Sequence, residues 1–265
     1  MSKQNTSTQG QLHGPVALKN VAAFMAMTTR LIERSPHLPG FGVCHGPSGF
    51  GKTYASIFAQ NRVKAARIEV GDSWTRRTLL HRVLREFGER AKDRTPIAEL
   101  AEMARNALAV DASRPLIVDE ADKLIDKGMI EILRELQEES GAPVILIGEE
   151  KLPTKLLAVE RMHNRVLHWF SAEPCDLDDT RVLAAAFAPK VDIKDDLLDT
   201  IRVRSGGRAR RIVVNLDHAA VVARNAGLKT LDLKLWGSEE FYTGEPPTPR
   251  HVEAYPRRAS VKAVA

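Results

Sequence analysis

The stretch Gly46-Pro47-Ser48-Gly49-Phe50-Gly51-Lys52-Thr53 (GPSGFGKT) lies directly after the apolar run FGVC at 41–44. A helical pattern follows it over residues 52–61. The glycines of this turn allow the backbone to wrap so that its N–H groups point inward, and the following helix presents its positive end to the same space. The sequence therefore predicts a strand–loop–helix unit that cradles phosphate groups.

Two side chains at the end of this loop suit a bound nucleotide. Lys52 is placed to reach the β- and γ-phosphates, and the Thr53 hydroxyl is placed to ligate Mg²⁺. A nucleophile elbow is the competing interpretation of a glycine-rich strand-to-helix turn, but it needs the pattern G-x-S-x-G. Phe50 stands where that pattern requires its second glycine, so we exclude the elbow.

Apolar runs alternate with helical patterns through the first 170 residues. Strands that are apolar on consecutive residues and separated by helices are typical of a parallel sheet covered on both faces. We therefore predict an α/β fold in three layers. The predicted strands are 41–46, 66–71, 115–120, 143–148 and 165–170, and the predicted helices are 16–33, 52–61, 74–91, 96–110, 127–139 and 152–160.

The strand signal stops after Phe170, and only helical patterns follow. These patterns, at 177–188, 192–205, 208–227 and 231–236, predict a small all-helical second domain. The expected division is a disordered N-terminus (1–14), an α/β nucleotide-binding domain (15–172), a helical domain (173–238) and a flexible basic tail (239–265).

The composition excludes some classes of protein. No window approaches the roughly 18 unbroken apolar residues of a membrane span, and the polar N-terminus lacks the pattern of a secretory signal. We therefore expect a cytoplasmic protein without a membrane part. Cys44 and Cys175 are too few for a disulfide framework and lack metal-ligand spacing, so we expect them in the core.

Positive charge is concentrated near the end of the chain. Residues 201–265 carry 12 Lys and Arg against 6 Asp and Glu, whereas residues 1–200 carry 27 against 28. Such an excess is typical of a surface that binds a polyanion, and equally of a solvated basic surface. The sequence leaves both interpretations open.

Two adjacent carboxylates end the third predicted strand. Asp119 and Glu120 follow the apolar run LIV, at the carboxyl edge of the sheet, where open α/β folds bind ligands. We expect Asp119 to hold Mg²⁺, usually through water, and Glu120 to orient and polarise the water that attacks the γ-phosphate. A small-molecule phosphotransferase has no use for such a glutamate, so the pair favours hydrolysis.

The stretches 46–53 and 116–120 resemble the Walker A and Walker B sequences of AAA+ ATPases. The resemblance implies a P-loop NTPase fold of the AAA+ type, with the helical domain as a lid and with ATP and Mg²⁺ as cofactors. In this family a polar residue, commonly Asn or Thr, follows the fourth strand as "sensor 1". Glu149 stands there, so we count it among the nucleotide-binding residues although it departs from the family pattern.

The resemblance further implies arginines at two places. One reaches the nucleotide of a neighbouring subunit; Arg165, in ERMHNRV before the fifth strand, is the first choice, and Arg161 is the second. The other, "sensor 2", starts a lid helix and reaches over the phosphates. In SGGRARR we assign this role to Arg210, with Arg211 as the alternative.

Further stretches point to one branch of the family. SPHLPGFGVCHGPSGFGKT, LIVDEADKL, LIGEEKLP and ERMHNRVL are similar to transposition ATPases of the phage Mu B type. By this resemblance the protein forms a homo-oligomer, a ring or a helical filament, on double-stranded DNA in its ATP form. It delivers this DNA, with little regard to base sequence, to a transposase in the bacterial or phage-infected cytoplasm. ATP hydrolysis, stimulated by DNA and by assembly, then releases the protein from the DNA.

One stretch after the second strand has the composition of a DNA contact. Trp74, Arg76 and Arg77 lie in GDSWTRR, where Asp72 or Ser73 is placed to cap a helix. Cations in the first turn of a helix are unfavourable unless an anion lies nearby, and DNA phosphates would supply it. The competing interpretation is that both arginines form surface pairs and Trp74 packs in the core.

Two further classes share the same ATPase core. A replicative helicase loader binds a partner protein and single-stranded DNA, so a strong preference for duplex DNA would exclude it. A secretion-linked AAA+ ATPase needs a membrane or peptidoglycan-binding segment, and the sequence shows no such pattern.

Overall fold

A computed structural model describes residues 18–245 of the chain. The strands of its main sheet are β1 (Phe41–His45), β2 (Ala66–Glu69), β3 (Leu116–Asp119), β4 (Val144–Ile147) and β5 (Val166–Ser171). They pair in parallel in the order β2-β3-β4-β1-β5. Each strand agrees with its predicted range within two residues. The predicted α/β fold with a parallel sheet is therefore confirmed.

Helices connect these strands. They are α1 (Lys19–Ile32), α2 (Lys52–Val63), α3 (Arg76–Glu86), α4 (Ile97–Ala109), α5 (Asp122–Asp126), α6 (Ile130–Ser140), α7 (Leu152–Leu157) and α8 (Glu160–His163). The short helix α5 was not predicted, and Gly128 with φ of +60° separates it from α6. α3 ends five residues earlier than predicted, because Gly88 takes φ of +85°, which stops the helix.

The sheet is covered on both faces. Ile117 and Ile145 belong to an apolar cluster shared with α1 and α2, whereas their neighbours Val118 and Leu146 belong to a second cluster shared with α3, α4 and α6. Successive residues of a strand point to opposite faces. Because both faces are buried, every residue of β3 and β4 is apolar up to the functional edge, which is the pattern that revealed these strands.

After Ser171 the chain forms a second, mainly helical unit. Its helices are α9 (Leu177–Phe187), α10 (Asp195–Arg204), α11 (Ala209–Asn225) and α12 (Leu233–Trp236). Their apolar side chains join the cluster of α1 and α2, so this unit, the lid, packs on the α1/α2 side. Cys44 and Cys175 are both buried and unbridged, as expected.

Two predictions about this second unit need correction. It also contains a short parallel pair, β6 (Asp192–Ile193) and β7 (Thr230–Leu231), because strands of two residues are too short to show an alternating pattern. Residues 239–244 of the predicted tail pack on the lid. The Tyr242 N–H donates to Asn215 Oδ1 at 2.8 Å, and Phe241 stacks on Trp236. The predicted N-terminal segment 1–14 and the tail from 246 lie outside the described residues.

Candidate nucleotide-binding site

The carboxyl edge of the sheet opens into a cavity of about 480 Å³ between α2 and the lid. This cavity brings together polar side chains predicted from separate motifs: Lys52, Thr53, Asp119, Glu120, Glu149 and Arg210. The same cavity is also lined by Leu18, Tyr54, Ile57, Leu183, Phe187, Ala209, Val213 and Val214. The cavity therefore offers polar groups suited to phosphates and apolar side chains suited to a flat ring.

The glycine-rich loop presents the start of α2 to this cavity. Gly51 caps the helix in the left-handed conformation, with φ of +83°, and supplies no side-chain acceptor for the first N–H groups. The Lys52 Nζ donates to the carbonyl oxygens of Gly46 (2.6 Å) and Pro47 (2.8 Å). Burial lowers the pKa of the Lys52 ammonium, and nearby carboxylates oppose this effect. The loop thus places the start of a helix and the Lys52 ammonium at one place, as an anion site requires.

Asp119 is buried at the end of β3, and each of its carboxylate oxygens accepts one hydrogen bond. Its Oδ2 pairs with Arg67 Nη2 at 2.8 Å, and its Oδ1 accepts from the Glu120 N–H at 3.0 Å. Arg67 also donates from Nε to Ser56 Oγ on α2 at 2.9 Å. Arg67 was not predicted, although an arginine inside the strand ARIEV was a visible signal. It reaches Asp119 because β2 and β3 are neighbours.

Glu120 has an unusual backbone. Its φ of +59° lies in the left-handed region, which costs a non-glycine residue about 1–3 kcal/mol and is enriched at functional sites. Burial raises the pKa of its carboxyl, and Lys123, whose Nζ lies 3.8 Å from Oε2, opposes this. Glu120 lines the cavity, and its side chain is partly exposed.

Asp122 supports the position predicted for sensor 1. Its Oδ2 accepts from the Glu149 N–H at 2.8 Å, and it fills the space beside Gly148, where an added Cβ would lie 2.0 Å from that oxygen. Burial raises the pKa of the Asp122 carboxyl. This residue was not predicted either, and its contact joins the ends of β3 and β4. It fixes the backbone from which Glu149 extends.

The two arginines considered for sensor 2, at the start of α11, have different surroundings. Arg210 is exposed and lines the cavity, whereas Arg211 lies against Gly244, where an added Cβ would be 2.7 Å from its Nε. These contacts favour Arg210 over Arg211 at the cavity. Arg208, which was not predicted, lies beside the glycine-rich loop, with its Cβ 3.4 Å from a Cβ built on Gly49.

A buried amide links the loop to the lid. The Asn20 Nδ2 donates to the carbonyl oxygens of Phe50 (2.8 Å) and Glu173 (2.7 Å), and its Oδ1 accepts from the Glu173 N–H at 3.1 Å. The neighbouring Lys19 N–H donates to Asp179 in α9 at 2.9 Å. The start of α1 therefore connects the glycine-rich loop with the segment between β5 and α9.

Thr53 and Asp119 fit a magnesium site of the P-loop type. Such sites use one hydroxyl and one carboxylate, and the bound phosphates supply further oxygen ligands. Both residues line the cavity. Within residues 18–245 no group of three or more His, Cys, Asp or Glu side chains is placed to bind a metal by itself.

The two arginines predicted to reach the nucleotide of a neighbouring subunit lie outside this cavity and differ in their contacts. Arg165 forms an ion pair with Glu138 through Nε and donates from Nη1 to the Arg161 carbonyl at 2.7 Å. Arg161 is exposed on α8, and no side-chain ion pair or hydrogen bond holds it within the described chain. These contacts favour Arg161, the second choice of the sequence analysis.

The three residues predicted to contact DNA also differ in their exposure and contacts. Trp74 is half-buried with Arg82 over its ring, and Arg77 donates from Nη1 to the carbonyl oxygens of Asp93 and Thr95. Arg76 remains exposed in the first turn of α3. The helix is capped by Thr75, whose Oγ1 accepts from the Thr78 N–H, and not by Asp72 or Ser73.

Residues 34–156 match a family model described as "AAA domain". This match covers β1 to β4 and the glycine-rich loop but less than half of the chain. No curated protein matches the chain significantly. None of the helices within residues 18–245 is long and apolar enough to span a membrane.

Solved structures of archaeal and bacterial proteins resemble the chain over both units. The Aeropyrum pernix ORC2 protein, solved as ADPNP–ADP complexes, is 16% identical with a TM-score of 0.66, over 86% of this chain and 68% of that one. The Aeropyrum pernix ORC1 protein in complex with DNA is 16% identical with a TM-score of 0.62, over 83% and 64%. The Thermotoga maritima RuvB Holliday junction branch migration motor is 15% identical with a TM-score of 0.57, over 83% and 67%.

Identities this low show the fold alone, and the chain spans about two thirds of the length of each of these proteins. The fold is that of the AAA+ P-loop NTPases: a parallel five-stranded sheet with a helical lid.

Proposed function

We propose that this protein is an ATPase that binds ATP with Mg²⁺ and hydrolyses it. One observation carries the proposal: a single cavity joins a glycine-rich loop, two acidic residues, a lid arginine and an apolar wall. The apolar wall, with Leu183 and Phe187 on α9, is suited to the faces of an adenine ring. The neighbour solved with ADPNP and ADP supports the same assignment.

Each polar side chain has a separate task in this proposal. Lys52 leaves the loop carbonyls and binds the β- and γ-phosphates, while the N–H groups at the start of α2 bind their oxygens. Mg²⁺, held by Thr53 and Asp119, would neutralise the phosphate charge. Glu120 orients the attacking water, and Arg210 carries positive charge from the lid to the γ-phosphate. Glu149 lines the same cavity from a backbone held by the hydrogen bond to Asp122.

We further propose that the ATPase assembles into a homo-oligomer on double-stranded DNA. The neighbours support this: one is solved in complex with DNA, and another is named a Holliday junction branch migration motor. Delivery of the bound DNA to a transposase, with DNA-stimulated hydrolysis in the cytoplasm, is the finer form of the proposal. It rests on the Mu B-type resemblance of the sequence.

Three measurements test these proposals in order. Calorimetry with MgATP should show binding by the wild type and none by Lys52→Ala; no uptake by the wild type would reject the whole assignment. Negative-stain microscopy with duplex DNA should then show rings or filaments only when a slowly hydrolysed ATP analogue is present. Assemblies on single-stranded DNA alone would favour the helicase-loader alternative, and a purified transposase stimulated by the ATP-bound assembly would support DNA delivery.

A further inference from the structure

A basic surface lies on the outer side of α3 and on the loop that follows it. Residues 76–94 contain seven Lys and Arg against three Asp and Glu. Arg82 and Arg85 lie about one turn apart on the solvent side of α3, opposite the buried Leu80 and Val83. We call the following exposed residues the basic face: Arg82, Arg85, Arg90, Lys92 and Arg94.

The charges of the basic face are not neutralised by the protein. Within residues 18–245 no carboxylate forms an ion pair with any of its five side chains, although Glu89 and Asp93 lie in the same loop. Elsewhere on the surface, Arg134, Arg165 and Arg181 are each paired with a carboxylate. A cluster of unpaired cations attracts an anionic partner.

The loop of the basic face is held in place from both sides. Arg77 bonds the carbonyl oxygens of Asp93 and Thr95. Arg114 donates from Nη2 to the Glu86 carbonyl at 2.9 Å and lies over the Phe87 ring at 4.7 Å. Arg77 therefore supports this surface and does not itself extend from it, and these contacts hold the backbone of the helix and loop that carry the cations.

The kind of partner follows from what the surface lacks. Between Thr75 and Pro96 no large apolar side chain is exposed in the structure, and Ile97 at the start of α4 is the next exposed one along the chain. A protein interface needs an apolar centre, and an amphipathic helix that binds a membrane needs an apolar face. Single-stranded nucleic acid needs exposed rings on which bases stack, whereas Trp74 is half-buried with Arg82 over it. Contacts to the phosphates of a duplex need only the cations.

We propose that the basic face binds the phosphate backbone of double-stranded DNA without reading its bases. This inference rests on the proposed DNA-dependent function and names the surface that carries it. Four of the five side chains are arginines, whose planar guanidinium groups suit phosphate oxygens.

Anisotropy titrations of a labelled duplex of arbitrary sequence, with MgATP analogue and over a series of salt concentrations, test the surface. The test variants are Arg82→Glu/Arg85→Glu and Arg90→Glu/Arg94→Glu. The matched control is Arg204→Glu/Arg224→Glu, which reverses two exposed lid arginines that are likewise without ion pairs in the described chain. Each test variant should lose about tenfold or more in affinity and reduce the salt slope by about two. The control should keep both values.

Calorimetry with nucleotide on every variant reports whether the fold is intact. If a double Arg→Glu variant does not bind nucleotide, the corresponding double Arg→Gln variant is used in its place. If the wild type binds no duplex, the proposed DNA function fails, and the inference with it. If the wild type binds and the test variants bind equally well, or the lid control loses as much, only the inference is overturned. Wild-type binding to vesicles of anionic lipid without binding to duplex would also overturn it.

Discussion

At the scale of single residues, the proposed role of Glu120 in hydrolysis can be tested directly. Glu120 lines the cavity together with Asp119, and its carboxylate is of the type that polarises water. Glu120→Gln keeps the shape and the hydrogen-bonding reach but removes the charge. We expect normal MgATP affinity in calorimetry and hydrolysis reduced by about 10²-fold or more in a phosphate-release assay. Turnover close to that of the wild type would reject this role.

The pKa of Glu120 gives a second prediction. Because the role needs the ionised carboxylate and burial raises its pKa, hydrolysis should fall on acidification at a pH above the ordinary value for Glu. Lys123 lowers this pKa from 3.8 Å away, so Lys123→Met should move the acidic limb of the kcat/KM–pH profile, which reports the free enzyme, to higher pH. Lys190→Met, which changes an exposed lid lysine, is the control. An unmoved limb in Lys123→Met would show that another group titrates.

At the scale of secondary structure elements, the start of α1 is a connector. Asn20 satisfies one carbonyl in the glycine-rich loop and both backbone groups of Glu173, between β5 and α9. Asn20→Ala leaves these buried groups unpaired, which should lower the free energy of unfolding by about 2–4 kcal/mol in urea titrations. Asn61→Ala, on the exposed side of α2, should change it little.

Nucleotide affinity separates two explanations of that loss. If Asn20 fixes the loop for phosphate binding, the affinity for MgATP should fall in Asn20→Ala even at temperatures where the variant is fully folded. Unchanged affinity with reduced stability would show that the amide serves the fold alone.

The same elements show how far the sequence predicts the site. Lys52, Thr53, Asp119 and Glu120 were predictable because loop and strand end are local patterns with their own chemistry. Arg67, Asp122 and Asn20 were not, since each acts through a partner that is distant in sequence, as Arg67 does with Asp119 across the β2–β3 pair. Strand order and the packing of α1 determine these contacts, and neither can be predicted from a short sequence motif.

At the scale of the whole molecule, unpaired positive charge lies on a surface that the count of charges along the sequence did not indicate. The excess of positive charge over residues 201–265 pointed to the end of the chain. In the structure Arg202 of the lid is paired with Asp199, whereas Arg204 and Arg224 of the lid and the five side chains of the basic face have no ion pair within the described chain. Net charge over a long window misses this surface, because acidic residues elsewhere in the first 200 offset it.

Assembly gives the last prediction, which concerns Arg161 and Arg165. Arg161 is exposed, outside the cavity of its own chain, so we expect it to act on the nucleotide of a neighbouring subunit. Arg161→Ala should bind MgATP normally and lose hydrolysis. Mixing it with Glu120→Gln should restore activity, because some interfaces then combine an intact Arg161 with an intact Glu120.

Arg165→Ala is the comparison. Arg165 is already engaged by Glu138 and the Arg161 carbonyl, and a partly exposed ion pair contributes little, so this variant should keep most of its hydrolysis. Rescue of Arg165→Ala by Glu120→Gln, with an active Arg161→Ala, would reverse the assignment and restore the order that the sequence first indicated. If neither arginine variant loses hydrolysis, the nucleotide site is complete within one chain, and the oligomer is not needed for hydrolysis.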